Sequence, residues 1–202
     1  MVSSQVERVL AGYNCTLFAY GQTGTGKTYA MEGGSGKYDS YQEDPTTGII
    51  PRAVEHIFEE LAKSSTGEYS VQISYLELYN EELYDLLAPT SDDRERLRIY
   101  DDPSKKILLC PLMAVLIVIS GAEEIPVRDR AEVCRLLKRG AKKRTTTATP
   151  MNLNYSRSHS IFTVSVVTRE NTPSGEELVI QGKLNLVDLA GSEHIGRSGS
   201  DG

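Results

Sequence analysis

Basic residues are in short supply: 22 Lys and Arg stand against 28 Asp and Glu, a formal net charge of −6 over 202 residues. Neutralising phosphates along a polynucleotide needs the opposite balance, so no nucleic-acid partner is expected. Cysteine is scarce too. Cys15, Cys110 and Cys134 are odd in number, far apart and without metal-ligand spacing, which points to a reducing, cytosolic setting. The opening residues 1–12 are polar and mixed in charge, unlike a secretory leader. Long apolar runs are also lacking. The one that stands out, 107–117, is shorter even when extended to Ser120 than the ~20 residues of a membrane span, and Pro111 interrupts it. With 39% apolar and 25% charged residues, the chain suits one globular domain with its own core.

What is present is a complete phosphate-binding loop. Residues 21–28 read Gly-Gln-Thr-Gly-Thr-Gly-Lys-Thr, satisfying Gly-x4-Gly-Lys-[Ser/Thr] at every required position. Gly21, Gly24 and Gly26 let the backbone curl so that N–H groups of the loop, including those of Gln22, Thr23 and Thr25, point at phosphate oxygens. Lys27 supplies a compact positive charge and the hydroxyl of Thr28 suits Mg²⁺. Context agrees. Residues 15–20 read as a buried strand entering the loop, and a Pro-free stretch from Lys27 through Tyr29 opens a helix whose N-terminus favours phosphate. No Asn-Lys-x-Asp guanine signature follows, so ATP is expected rather than GTP.

Helix-like and strand-like segments alternate, as in an α/β nucleotide-binding domain. Ser4 with Glu7 predicts a capping box ahead of Val6, Val9 and Leu10, with Gly12 ending that helix. Residues 33–47 predict an exposed loop, and Pro51 the first position of a helix burying Val54, Ile57, Phe58 and Leu61 on one face. Residues 69–79 predict a strand, and Asn80 caps a short helix over 81–87. Asp129 and Glu132 mark another helix start, with Val133, Leu136 and Leu137 buried and Gly140 at its end. Residues 161–168 and 178–187 predict two strands joined by a turn at 171–175. The second finishes on Asp188, a carboxylate suited to Mg²⁺, with Gly191 placed to offer its N–H to a γ-phosphate.

Residues 20–28, 152–159 and 188–193 (Asp-Leu-Ala-Gly-Ser-Glu) together resemble the three nucleotide motifs of kinesin motor domains. Familiar stretches at 12–16, 48–52, 76–87 and 175–178 extend the resemblance over nearly the whole chain, and the long loop and 188–199 are most similar to the kinesin-5 group of bipolar spindle motors. The resemblance implies a P-loop NTPase motor domain, an α/β fold with a mostly parallel or mixed central sheet flanked by helices. It implies a microtubule-stimulated ATPase using ATP and Mg²⁺ on spindle microtubules in the cytoplasm, in a parent protein made oligomeric by its stalk. By position, 152–159 becomes a first switch and 188–193 a second. Ser156 joins Thr28 and Asp188 around the metal, Arg157 and Glu193 pair to close the site, and Gly191 senses the phosphate. An unpartnered buried charge being costly, pairing Arg157 with Glu193 is reasonable.

Three departures accompany it. Tyr155 stands where the family pattern has the first Ser of a pair, and a phenol cannot place its oxygen where a hydroxymethyl does. The run 107–117 reads as an insert, either an altered filament-binding loop or, more simply, non-native sequence such as translated intron; exposed, it predicts aggregation. Measured against the family, the chain reads as a partial motor domain, lacking a first strand in front and the main microtubule-binding helix behind. A basic cluster, Lys138, Arg139, Lys142, Lys143 and Arg144, reads as a solvated helix end or a contribution to an acidic filament surface. Two readings stay open: a motor ATPase, or a non-catalytic nucleotide-binding or interaction fragment.

Overall fold

The structure, a computed structural model, describes residues 2–34, 46–64, 68–88, 96–109, 112–120, 122–146, 158–171 and 174–193. In chain order these form α1 (Val2–Leu10), β1 (Asn14–Ala19), α2 (Lys27–Glu32), α3 (Ile49–Lys63), β2 (Glu68–Tyr79), β3 (Glu82–Asp85), β4 (Arg96–Leu109), β5 (Leu112–Ser120), β6 (Ile125–Val127), α4 (Arg130–Thr146), β7 (Ser158–Asn171) and β8 (Glu177–Asp188). The sheet runs β1-β8-β7-β2-β3-β4-β5, with β6 also on β2. It is mixed: β1 and β8 run parallel, and the other pairs are antiparallel.

Strand alternation aims one face of the sheet at the helices. Val71, Ile73 and Tyr75 of β2, Phe162, Val164 and Val166 of β7, and Leu184 and Leu186 of β8 share one buried cluster with Val6, Val9, Val54, Ile57, Leu61, Val133 and Leu137 from the helices. α1 presses close: a Cβ on Gly182 of β8 would lie 2.0 Å from the Val9 carbonyl oxygen. The β7–β8 register, Ser160 opposite Asp188, and the β1–β8 register, Ala19 opposite Asp188, bring three strand ends to one edge. There the phosphate loop leaves β1.

Four local expectations need correction. Ser4 lies inside α1, which already begins at Val2. Pro51 is the third helical residue rather than the first, still within the turn whose N–H groups lack intrahelical partners. Residues 81–87 do not form a helix. Asn80 and Glu81 both take left-handed φ, 51° and 64°, making a two-residue turn between β2 and β3, and Leu78 pairs with Leu83. Asp85 then accepts the Leu87 and Glu123 amides at 2.7 and 2.9 Å, so local hydrogen bonds that a helix would have supplied come from a carboxylate. Finally, α4 continues past Gly140 to Thr146. Gly140 is a contact point, since a Cβ there would sit 2.4 Å from the Tyr75 ring.

The start of α4 follows its sequence signal: Asp129 Oδ1 accepts the Glu132 amide at 2.8 Å and Glu132 Oε2 accepts the Arg128 amide at 3.0 Å. The run 107–117 enters a paired hairpin, with Ile107 opposite Ala114 and Leu109 opposite Leu112; Cys110 and Pro111 lie outside the described residues. Of the loop expected over 33–47, 35–45 lie outside them too, while a bridge between Gly33 and Thr47 closes its base.

Candidate nucleotide site

Gly24 and Gly26 hold φ of 80° and 88°, a left-handed backbone that costs an L-residue about 1–2 kcal/mol and glycine almost nothing. They turn the chain from β1 into α2. The Gln22 carbonyl ties the loop, accepting the Thr25 amide at 3.3 Å, the Thr25 hydroxyl at 2.7 Å and Lys27 Nζ at 2.9 Å. Lys27 and Thr28 are half-buried, Gln22 to Gly26 are exposed, and Tyr29 is exposed on α2.

Across the loop, the Thr28 hydroxyl donates to Asp188 Oδ2 at 2.6 Å. Asp188 is 3% exposed, and among the described residues its Oδ1 has no hydrogen-bond partner. A buried carboxylate oxygen left open beside a threonine hydroxyl fits a hard divalent cation, directly or through water. Among the described residues, no group of three or more His, Cys, Asp or Glu is arranged to hold a metal. Thr28 and Asp188 together would suit Mg²⁺, which takes one or two protein oxygens and fills its shell with phosphate and water.

The segment after β8 is stitched to the loop by successive backbone contacts. Leu189 N–H donates to Ala19 O at 3.2 Å and Ser192 N–H to Gly21 O at 3.1 Å. Ala190 N–H donates to Nδ1 of His159, on β7, at 3.1 Å. Glu193 accepts the Thr23 amide at 2.9 Å and also the Thr23 hydroxyl, contacts that hold its carboxyl below the usual range. Gly191 sits inside this fold-over, where a Cβ would lie 2.3 Å from Glu193 Oε1. The expected partner of Glu193, Arg157, lies outside the described residues, as do Ser156 and Tyr155. Glu193 itself lies against the phosphate loop.

Sequence reasoning missed Arg144. At 4% exposure it reaches from α4 beneath the site, with Nη1 3.3 Å from Asp188 Oδ2, 3.5 Å from Glu32 Oε1 and 3.2 Å from Ser160 Oγ. Its Nη2 lies 3.4 Å from Ser158 Oγ, and its Nε 3.7 Å from Glu77 Oε1. Burial raises the Glu32 carboxyl, against the Tyr75 hydroxyl that donates to it at 2.8 Å and the Arg144 charge. Burial and then the Glu32 charge push the Tyr75 phenol well up, so it stays a donor. Helical spacing was the available signal: Val133, Leu137, Gly140 and Arg144 lie on one face. The cluster read as a solvated helix end is engaged inward elsewhere as well, Arg139 donating to Leu87 O and Lys143 Nζ to Asp85 O at 3.1 Å. No helix of the described residues is long and apolar enough to cross a membrane.

Comparison with known proteins converges on one family. The chain is 55% identical over 197 residues to kinesin-like protein KIF11 of Mus musculus, covering 96% of this chain and 18% of that protein. It is 49% identical over 203 residues to kinesin-like protein Klp61F of Drosophila melanogaster, and 52% over 205 to KIN-5A of Arabidopsis thaliana, covering 100% and 98% of this chain and 18% and 19% of theirs. The chain thus spans about a fifth of these relatives. Among solved structures, that of a fast kinesin, described for its ATPase mechanism and interactions with microtubules, matches with a TM-score of 0.78 and 40% identity over 98% of this chain and 51% of that one. The Kinesin motor domain model matches residues 1–202, and the chain belongs to the kinesin motor domain family, with its similarity to the kinesin-5 group.

Proposed function

We propose that the chain binds Mg·ATP between the phosphate loop and the end of β8, and that in the longer protein its hydrolysis drives microtubule-based movement, on the spindle as in kinesin-5 motors. The observation that carries this is the 2.6 Å Thr28–Asp188 contact beside the open Asp188 oxygen. Gln22 to Gly26 would wrap the phosphates with backbone N–H groups, and Lys27 would leave the Gln22 carbonyl for the phosphate charge. Thr28 and Asp188, with Ser156, would hold Mg²⁺, which when bound neutralises phosphate charge. Gly191 would offer its N–H to the γ-phosphate, and Glu193, released from Thr23, would pair with Arg157 to close the site.

The test is titration of the purified chain with a fluorescent ATP analogue and Mg²⁺, with Lys27→Ala as control. Saturable binding lost in the variant is expected; equal binding by both would sink the reading. A second reading, nucleotide binding without an efficient cycle, is favoured by Tyr155. A Tyr155→Ser variant is expected to hydrolyse ATP faster than the natural chain, and unchanged turnover would remove that reading's main support.

A further inference from the structure

We infer that His159 is a positioning residue: through an Nδ1 that carries no proton it accepts the Ala190 N–H and, with the Ser192 anchor, brackets the peptide whose N–H belongs to Gly191. The inference rests on the nucleotide-site reading and deepens it.

Geometry makes the case. β8 ends at Asp188, and the five residues that follow leave the sheet. Leu189 and Ser192 are tied by their amides to Ala19 and Gly21, both on the β1 and phosphate-loop side. Thr23 holds Glu193 from that side too. Ala190 alone among these ties is directed the other way, to β7, through His159 Nδ1 at 3.1 Å. His159 itself is fixed in the sheet, paired with Leu78 of β2, one residue before the Ser160–Asp188 pair. An amide N–H can be accepted only by an imidazole nitrogen that carries no proton, so the contact selects the Nε2–H tautomer. The Gly191 N–H lies between two anchored amides, those of Ala190 and Ser192, so it can be re-aimed only by linked rotations about the Ala190 and Gly191 bonds, and releasing the Ala190 amide removes that restraint. Without the acceptor, the segment keeps its anchors on the phosphate-loop side and loses the one on β7. The residue also stands at the strand end that follows 152–157, so it joins the strand leaving the first switch to the backbone of the second.

Nitrogen-15 NMR of the 202-residue chain at pH 8 reads the contact without any nucleotide. The expected result is an unprotonated His159 Nδ1 with a through-hydrogen-bond coupling to the Ala190 amide. A protonated Nδ1, or no coupling, would overturn the inference. Variants separate positioning from packing. His159→Asn places its Oδ1 near the lost Nδ1, whereas His159→Gln places its polar atoms farther out and His159→Leu has none. Asn is expected to retain the Ala190 amide shift and single-turnover ATP hydrolysis within about twofold, while Gln and Leu slow hydrolysis roughly three- to tenfold, the scale of one neutral hydrogen bond. Equal effects of Asn and Leu would refute the positioning role. If the natural chain binds no nucleotide, the function reading falls and the NMR result alone decides. The same holds if the variants do not fold.

Discussion

Arg144 faces three carboxylates, those of Asp188, Glu32 and Glu77, with 3% of its own side chain exposed. One guanidinium shared among three acids cannot satisfy all of them, which is why burial still raises Glu32. Removing the cation is expected to hurt far more than removing one acid. Arg144→Leu should lower unfolding free energy by about 3–5 kcal/mol, because it strands buried negative charge. Glu32→Gln should cost little at neutral pH and alter the pH profile. Glu32 has a folded value above its ordinary 4.5, so the folded state holds its proton longer, and the associated stability is full below that value and lost as pH rises through the folded one. The stability of the natural chain relative to Glu32→Gln should therefore fall as pH rises above 4.5. Urea titrations at several pH values check both; a flat difference would mean Glu32 is not the group responsible.

Among elements, α4 shows where sequence and structure parted. Glycine is the poorest helix former after proline, so Gly140 reads as a stop signal and Gly140→Ala would ordinarily stabilise a helix by about 1 kcal/mol. Here the Cβ would meet the Tyr75 ring at 2.4 Å, and Tyr75 is fully buried against Phe162 with ring centroids 5.4 Å apart. Gly140→Ala is thus expected to destabilise by about 1–3 kcal/mol, the usual cost of overpacking, read as a drop in the urea midpoint. A gain would show that α4 can back away. The same blindness to tertiary contact hid the β2–β3 hairpin. The spacing of Leu83, Leu86 and Leu87 is helical on paper, but Asn80 tolerates a left-handed turn and β2 is a long strand needing a partner. Strands feeding the site were legible because alternation and the flanking glycines are local signals. So were the glycine-built turn at 21–28 and a carboxylate closing β8 at Asp188, both written in consecutive residues. Arg144, taken as part of a basic cluster, and His159, taken as the end of a first switch, were not read for these contacts, whose partners lie 44 and 31 residues away.

At the scale of the whole molecule, the site and the core are continuous. β1, β8 and β7 end at the site, and their inward residues share one cluster with α1, α3 and α4. A ligand that binds only the folded chain should therefore stabilise all of it, not the loop alone. At a hundred times its dissociation constant, Mg·ATP is expected to add about 2.7 kcal/mol. For a chain of this size that is a rise of roughly 5–10 °C in Tm. Lys27→Ala should abolish the rise. Amide hydrogen exchange supplies the sharper reading. Val6 and Val9 of α1 are 0% and 1% exposed, and Val9 meets β8 at Gly182, beside the start of β1 and so at the other end of that strand from the loop. If unfolding is cooperative, their amides should gain as much protection on nucleotide binding as those of α2, although no nucleotide would touch them. Protection confined to the loop, α2 and 188–193 would show that the site opens separately from the core, and that the fold holds the nucleotide through local closure rather than through its global stability.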